Sequence, residues 1–443
     1  MTSTLIAEKS GVSLPSLLTV CRQTVPVLDR PEIHSLRERG ETIANRWGIP
    51  GKKDEEWQFT DISELLAVNW QKADKGSIDP KVLNAFLLPE AKQSRIVFVN
   101  GFYSPELSDI SALSAGVSVG NLADTQIDLI VKYLGREKSE EFFSALNGAG
   151  FSDVAVIHVA KNVTETAPIH LLYLSIADGT PRFYQPRTLI ITETGAKVSI
   201  IENYVALATH CSDIPNNQPY FTNAVTEIYL EANSEVQHTR LQRESGDAFH
   251  IGRTSIEQFR DSRYTLNEIT LGAKLYRHNL DVTQSGEQTE TALNGLTMIA
   301  GEQTADTHSA IYLNFPGGTT NQLHKCIVDG KAHAIFNGKV FVPKPAQLTN
   351  AAQLNQNLLL SPKARVNTKP ELQITADNVK CSHGATVSQL EADEVFYLQS
   401  RGLTAQDARN LLIDAFAAEI LDKIPVESLQ QRLGQCVACR SGD

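Results

Sequence analysis

The sequence lacks the features of a protein that spans a membrane or binds nucleic acid. It has no uninterrupted apolar run of about 18 residues, so we expect no transmembrane helix. Acidic residues outnumber basic ones, with 51 aspartates and glutamates against 40 lysines and arginines, and the net charge is -11. Nucleic acids and anionic membranes are bound through a concentrated basic face. The composition therefore argues against both kinds of partner.

Cysteine is scarce, with six residues in a chain of 443, and most of these cysteines are isolated. This pattern differs from the disulfide framework of a small secreted protein. Residues 1–10 also lack the basic and apolar segments of a secretory signal and the arginines of a transit peptide. We therefore predict a protein of the reducing cytoplasm, in which most thiols are buried as small apolar groups.

Several motifs of well-understood chemistry are absent. The chain has no Gly-x-x-x-x-Gly-Lys-Ser/Thr loop, no Gly-x-Gly-x-x-Gly after a strand, no His-Glu-x-x-His and no Gly-x-Ser-x-Gly. We therefore expect that it binds no nucleotide and has no enzymatic activity of its own. A β-helical carbohydrate-cleaving enzyme is the alternative, but such an enzyme needs closely placed carboxylates, and the strand-rich region is poor in aspartate.

The residues that are present predict three regions and a mainly β fold. Residues 1–150 are mixed and mainly helical, with an amphipathic helix over 31–47. Residues 151–390 contain many short segments rich in β-branched residues, separated by turn residues, and no helix alternates with these segments. Their number, regularity and polar spacers favour a β-helix, with a large sandwich or barrel as the alternative. Residues 391–443 show helical periodicity.

The C-terminal region is predicted to form three helices. The first covers 391–401 and ends at Gly402, the second follows a capping box that starts at Thr404, and the third covers 426–433. The second helix is apolar on most faces, so it must pack on the β body or on another protein. The candidates for docking a partner are the large apolar residues of the first two helices, Phe396, Leu411, Leu412, Phe416 and Ile420.

Cys381 and His383 form the sharpest local pattern. If the segment is a strand, residues two apart point to the same face, so this thiol and imidazole lie side by side. Both groups are ligands for zinc, iron and iron–sulfur clusters. Two ligands do not complete a four-coordinate site, so the remaining ligands must come from elsewhere in the chain or from a partner. The alternative is a semi-buried structural pair.

Cys436 and Cys439 form a Cys-x-x-Cys near the C-terminus, without a βαβ context or a second such motif. A redox or metal half-site is one interpretation, which would make the chain a thiol-redox or zinc-binding protein. A mobile tail with incidental thiols is the other. His308, His324 and His333 lie in strand-like segments, where they could line one face or serve a structural role.

Several longer segments resemble a known family. Asn-Val-Lys-Cys-Ser-His-Gly-Ala-Thr-Val at 378–387, Phe-Tyr-Leu-Gln-Ser-Arg-Gly at 396–402 and Asp-Glu-Glu-Trp at 54–57 are similar to motifs of the SufB/SufD family. The segments at 336–340, 353–360 and 366–372 also match the pattern. Members of this family are scaffold subunits of the SUF iron–sulfur cluster assembly system. The residue after His383 is glycine, whereas the SufB version of this motif has glutamate. The motif at 378–387 therefore favours the SufD version.

The resemblance implies a right-handed parallel β-helix between helical N- and C-terminal domains. It implies pairing with a SufB-like subunit through the β-helix, docking of a SufC-like ATPase on the C-terminal helices, and a homodimer when the chain is isolated. His383 matches the histidine that helps to assemble a nascent cluster, or iron, shared with the partner subunit, and Cys381 is its neighbour. The resemblance also implies a part in iron acquisition, and it assigns no role to Cys436 and Cys439.

Overall fold

The structure is a computed structural model that describes residues 13–136, 140–207 and 217–441, so Cys211 lies outside the described residues.

The N-terminal region combines helices with short strands and confirms the helix predicted over 31–47. Helix α2 packs on α5 at Gly40, where an added Cβ would lie 2.6 Å from the backbone nitrogen of Ala149. The elements are α1 Leu14–Gln23, α2 Pro31–Trp47, α3 Ser63–Ala67, β1 Gln71–Lys72, β2 Arg95–Val99, β3 Phe102–Tyr103, β4 Val117–Gly120, α4 Ile127–Tyr133 and α5 Phe142–Gly150, with short 3-10 turns at Glu55–Trp57, Pro80–Ala85, Pro89–Ala91 and Pro105–Leu107.

The middle of the chain is a parallel β-solenoid of about 8 turns, which confirms the predicted β-helix and excludes the sandwich and barrel. From Arg187 onward, successive strands alternate between two sheets. The strands are β5 Ala155–Val159, β6 Ile169–Ile176, β7 Arg182–Tyr184, β8 Arg187–Thr192, β9 Lys197–Leu207, β10 Phe221–Leu230, β11 Glu235–Arg243, β12 Phe249–Gln258, β13 Arg263–Thr270, β14 Leu275–Gln284, β15 Glu290–Ile299, β16 Thr304–Tyr312, β17 Thr319–Val328, β18 His333–Val342, β19 Asn350–Leu359, β20 Arg365–Ile374 and β21 Lys380–Gln389.

The two sheets enclose a lumen. The first sheet runs β20-β18-β16-β14-β12-β10-β8-β5-β4, and the second runs β21-β19-β17-β15-β13-β11-β9-β6-β2-β3. Strands β2 and β4 therefore join the solenoid sheets although they lie within residues 1–150; β2 pairs in parallel with β6, and β4 pairs antiparallel with β5. Inward-facing aliphatic and tyrosine side chains from both sheets form the lumen core, which includes Ile200, Tyr204, Ile228 and Val340.

One corner of the solenoid repeats a left-handed residue in successive coils. Each of these residues has φ between 57° and 74°, and its N–H donates to a carbonyl oxygen of the next coil. Glycine, asparagine and aspartate reach this conformation most easily, which explains the turn residues seen between the strands. The residues of this corner row are Asn162, Gly195, Asn233, Asp261, Gln288, Gly317 and Leu348.

The C-terminal region forms the helices α6 Ala392–Ser400, α7 Ala405–Leu421 and α8 Glu427–Ser441. Thr404 caps α7 as predicted, since its hydroxyl accepts from the backbone N–H of Asp407. Helix α8 extends past the predicted end at Leu433, so the interpretation of the thiols as part of a mobile tail is wrong. Leu429, Leu433 and Val437 of α8 are buried in a core that joins α7 and α8 to the solenoid. No helix in the described part of the chain is long and apolar enough to cross a membrane.

Candidate functional site at the open end of the solenoid

The last coil leaves the solenoid open. Strand β20 is bonded to β18 and strand β21 to β19, and among the described residues neither has a strand on its other side. Almost every residue of β21 is exposed, whereas the strands of the preceding coils are mostly buried. An unpaired edge presents a row of backbone N–H and C=O groups that can pair with another chain. The end of the solenoid therefore has the form of an interface.

Cys381 and His383 lie at this open end, on the same face of β21. They pair in register with Ala351 and Gln353 of β19, which are 2% and 3% exposed and point into the lumen. The structure thus places the thiol and the imidazole side by side at the mouth of the lumen. Cys381 is half-buried against the lumen core, and this burial raises the pKa of its thiol. His383 is exposed.

Polar side chains line the lumen behind His383. Gln322 and Gln353 form a ladder in which the Gln353 amide nitrogen donates to the Gln322 amide oxygen at 2.8 Å. Gln322 in turn contacts the Ser309 hydroxyl at 2.9 Å. Two buried oxygens on the lumen side of β19 have no hydrogen-bond partner among the described residues, Oε1 of Gln353 and Oδ1 of Asn357. The mouth of the lumen therefore presents hydrogen-bond acceptors that the described chain leaves unsatisfied.

The donor set fits half of a soft-metal site. A neutral imidazole and a thiol are ligands for iron and for iron–sulfur clusters. Among the described residues, no three histidine, cysteine, aspartate or glutamate side chains come together in a way that could hold a metal ion. Cys381 and His383 can therefore bind a metal only if further ligands come from outside the described residues.

A second group of charged residues, not anticipated from the sequence, fills the lumen deeper in the solenoid. Glu202, Arg240 and Glu268 are at most 3% exposed, and Arg240 Nη1 lies 3.3 Å from Glu268 Oε1. His238 lies 3.3 Å from Glu202, and His278 lies 2.6 Å from Glu268. Burial disfavours the charge on Glu202, but His238 and Arg240 outweigh it and lower the pKa of Glu202 to about 2. The signal in the sequence was that polar and charged residues occupy alternate positions of β9, β11 and β13, on the face that points into the lumen.

The predicted docking residues fall into two groups. Phe396 and Leu411 are 71% and 48% exposed, and they form an apolar surface on α6 and α7. Leu412 and Phe416 are half-buried, with the Phe416 ring 4.3 Å from the Lys325 ammonium of the solenoid. Ile420 is fully buried in the core between α7 and the solenoid. Ile420 therefore has no surface to offer a partner, and its inclusion among the docking residues is wrong.

The remaining predicted residues are dispersed. Cys436 is half-buried against the core of α7 and α8, and Cys439 is exposed on the same helix. The three strand histidines do not share a face. His308 and His333 lie on the outer face of the first sheet, whereas His324 is 4% exposed in the lumen of the second, where it contacts Thr297. Of the two interpretations, a shared face is wrong because β17 belongs to the other sheet.

A groove of about 380 Å³ runs between the N-terminal region and the first sheet. Three of its carboxylates are held by neighbours. Glu56 is bonded to His308 and Lys339, Asp281 is paired with Arg253, and Glu141 caps α5. Carboxylates that serve in such contacts are not the free acid–base pair that a carbohydrate-cleaving enzyme requires. This groove therefore gives no support to the carbohydrate alternative.

Comparison with known proteins extends over nearly the whole chain. Residues 175–416 match the family described as SUF system FeS cluster assembly, SufBD core domain, and residues 10–171 match the SufBD protein N-terminal region. An iron–sulfur cluster assembly SufBD family protein of Synechocystis is 58% identical over 397 residues, which cover 89% of this chain and 88% of that protein. The iron–sulfur cluster assembly protein SufD of Escherichia coli is 32% identical over 88% of this chain and 90% of its own length. A chloroplastic protein of Arabidopsis thaliana, ABCI7, is 37% identical over 86% of this chain and 81% of its own length.

These matches confirm the resemblance seen in the sequence motifs. They cover the N-terminal region, the solenoid and part of the C-terminal helices, including the open end that carries Cys381 and His383. The chain belongs to the SufBD family of iron–sulfur cluster assembly proteins.

Proposed function

We propose that this chain is a scaffold subunit, without enzymatic activity of its own, that holds one half of a cluster-building site at the open end of its solenoid. The observation that carries the proposal is the placement of His383 on the lumen face of an unpaired edge strand. Membership in a cluster assembly family supports it. The iron or nascent cluster is the cargo of the site, and the scaffold acts by presenting ligands and excluding competing contacts.

The missing ligands come from a SufB-like subunit that pairs with β20 and β21. Pairing would satisfy the backbone groups along these edges and would cover the unsatisfied acceptors at the lumen mouth. In the absence of that subunit, two copies of this chain pair through the same edges as a homodimer. His383 is the stronger ligand candidate of the two. Burial raises the pKa of the Cys381 thiol and disfavours the thiolate that binds metal, so Cys381 assists or packs.

A SufC-like ATPase docks on the exposed apolar surface formed by Phe396 and Leu411. Helix α7, which carries Leu411, also packs against β15 and β17 of the solenoid. Movement of the ATPase would thus be transmitted through α7 to the solenoid whose end holds His383. The chain itself contributes no nucleotide site to this process and works in the cytoplasm, where it also assists iron acquisition.

The proposal is tested by His383→Ala in a complex with the SufB-like and SufC-like subunits of the same organism. We expect the complex to assemble and the yield of iron–sulfur cluster, measured by absorbance and Mössbauer spectroscopy, to be lost. Ser382→Ala is the matched control, because Ser382 is an exposed neighbour on the opposite face of β21. A normal cluster yield with His383→Ala would refute the ligand role.

The thiol-redox or zinc alternative makes a different prediction. In that case the double variant Cys436→Ser, Cys439→Ser would lose bound metal or redox activity. The His383→Ala variant would keep them. Substitution is preferable to truncation at Leu433, since α8 continues past this residue and packs in the core. Under the scaffold proposal the double serine variant retains full cluster yield.

A further inference from the structure

A buried glutamine lies next to the candidate ligand. Gln353 of β19 is the register partner of His383 in β21, and both side chains are on the lumen face. Neighbouring strands are about 4.8 Å apart, so side chains at paired positions are in contact range. Gln353 is thus the residue of the preceding coil that is paired in register with His383.

The Gln353 amide is held in place. Its Nε2 donates to Gln322 Oε1 at 2.8 Å. On the opposite sheet, Gly338 leaves room for it, because a Cβ at that position would lie 2.2 Å from Gln353 Nε2. With the nitrogen fixed in this way, the orientation of the amide oxygen is fixed too. That oxygen, Oε1, is buried and has no hydrogen-bond partner among the described residues.

A buried acceptor without a donor destabilises the folded chain, because it has lost its hydrogen bonds to water without replacing them. In β21, the paired side chain is a histidine, whose ring always carries at least one N–H. The His383 ring is exposed, and exposed side chains change rotamer within picoseconds to nanoseconds. A turn of the ring toward the lumen therefore brings a donor to the acceptor and removes the penalty.

We propose that Gln353 is a positioning residue for His383, whose ring N–H donates to Gln353 Oε1. This inference rests on the proposed function of His383 as a ligand. The hydrogen bond would fix one tautomer and leave the lone pair of the other ring nitrogen directed out of the lumen mouth, toward the cargo. Metal-ligating histidines generally donate their second nitrogen in this way, and loss of the acceptor typically costs 10–100-fold in affinity or activity.

Asn357 provides a matched control. It lies in the same strand on the same face, and its Oδ1 is also buried without a partner. Its register partner is Val387, however, which has no polar hydrogen to donate. Asn357→Leu, like Gln353→Leu, removes a buried lumen amide, and it also removes the hydrogen bond from Asn357 Nδ2 to the Thr386 carbonyl oxygen of β21 at 2.9 Å. It leaves the acceptor for His383 in place.

The test measures the ring itself before it measures clusters. The full chain is labelled with ¹⁵N-histidine, the His383 signals are assigned by their loss in His383→Gln, and the ring ¹⁵N shifts report the tautomer. We expect one dominant tautomer in the parent chain and in Asn357→Leu. In Gln353→Leu we expect the mixture typical of an unconstrained imidazole. Equal tautomer populations in the parent and Gln353→Leu chains would overturn the inference.

Cluster yield in the three-subunit complex separates this inference from the function on which it rests. We expect Gln353→Leu to lower the yield about 10–100-fold and Asn357→Leu to leave it close to that of the parent complex. If His383→Ala abolishes clusters while Gln353→Leu does not reduce them, the positioning role is wrong and the scaffold function stands. If His383→Ala forms clusters normally, the proposed function is wrong, and the ring shifts alone then decide whether the hydrogen bond exists. Thermal unfolding midpoints of all variants show whether each is folded.

Discussion

Glu56 accepts a hydrogen bond from His308 Nδ1 at 3.0 Å, although 252 positions separate the two residues in the chain. The other ring nitrogen of His308 lies 2.9 Å from Asp306 Oδ1. Next to this pair, the Trp57 ring lies 3.9 Å from the Arg277 guanidinium. These contacts fasten the Asp-Glu-Glu-Trp segment of the N-terminal region to the outer face of the first sheet. We call the contacts of Glu56 and Trp57 with His308 and Arg277 the N-terminal clamp.

The clamp should depend on pH through His308. Burial opposes its charge, but Asp306 and Glu56 outweigh burial and raise the pKa of His308 above its ordinary value of 6.5. A raised pKa in the folded state gives stabilisation that is full below about 6.5 and is lost as pH rises through the folded pKa. The hydrogen bond from His308 lowers the pKa of Glu56 from 4.5 to about 2, so this contribution is lost as pH falls from 4.5 toward 2. The clamp is therefore strongest between these two limits.

We expect His308→Gln to destabilise the chain by about 1.5–3 kcal/mol near pH 5.5, as for other hydrogen bonds to charged groups, and by less near pH 9. Urea unfolding followed by tryptophan fluorescence measures both values. Glu55→Gln is the control, because Glu55 pairs with Lys369 at the exposed surface and its loss should change little. An equal effect of His308→Gln at both pH values would contradict the ionic clamp.

Arg240 should be the most sensitive residue of the lumen. It is 1% exposed and contacts Glu268 and the Tyr276 hydroxyl, the latter at 2.7 Å. Its removal leaves buried carboxylates without their cation, and breaking a buried pair in this way costs about 3–5 kcal/mol. We therefore expect Arg240→Met to lower the free energy of unfolding by that amount, measured by urea unfolding at pH 7.

The control for this variant is Arg260→Met, since the Arg260 side chain is 68% exposed and pairs with Asp261 only at the surface. It should change the free energy of unfolding by less than about 0.5 kcal/mol. If Arg240→Met were no more destabilising than Arg260→Met, the lumen charges would not be coupled as the distances indicate.

Leu348 and Gln288 are the two residues of the corner row that are not glycine, asparagine or aspartate, and Leu348 is the apolar one. Its φ is 60° and its side chain is 66% exposed, so the strain of a leucine in this conformation is not offset by burial. We expect Leu348→Asn to raise the free energy of unfolding by roughly 0.5–1 kcal/mol, because asparagine tolerates a positive φ. Leu348→Ala keeps the strain and should leave the urea midpoint unchanged. A stabilisation of equal size with alanine would show that exposure of the leucine, not φ, is the cause.

The β-solenoid was predictable because its strands are marked by β-branched residues and its corners by turn residues. The lengths of the strands were not predictable from the sequence. In β14, which spans Leu275–Gln284, only the segment Leu280–Thr283 has the apolar alternation of a strand. The first half contains the buried Tyr276, Arg277 and His278, which look polar in the sequence. Glycine usually indicates a turn in a sequence of this kind, but Gly338 lies inside β18, where the absence of a side chain makes room for Gln353.

At the candidate site, the shared face of Cys381 and His383 followed from strand alternation alone. The role of Gln353 could not be predicted from the sequence. It depends on the register between β19 and β21 and on an acceptor that the described residues leave without a hydrogen bond. The burial of Ile420 was hidden for a similar reason. Helical periodicity places Leu411 and Ile420 on a helix, but only the position of α7 on the solenoid decides which of them remains exposed.

The exposed surface of α6 and α7 gives the last prediction. Leu411→Asp and Phe396→Asp place a charge on apolar surface that is exposed in this chain, so the fold should tolerate them, and thermal midpoints should stay close to that of the parent. If the ATPase docks there, burying an unpaired carboxylate in the interface would abolish its co-purification. Ile420→Asp is the contrasting variant, because it buries the charge in the core between α7 and the solenoid and should lower the thermal midpoint strongly. Retention of the ATPase by both surface variants would place its docking site elsewhere on the chain.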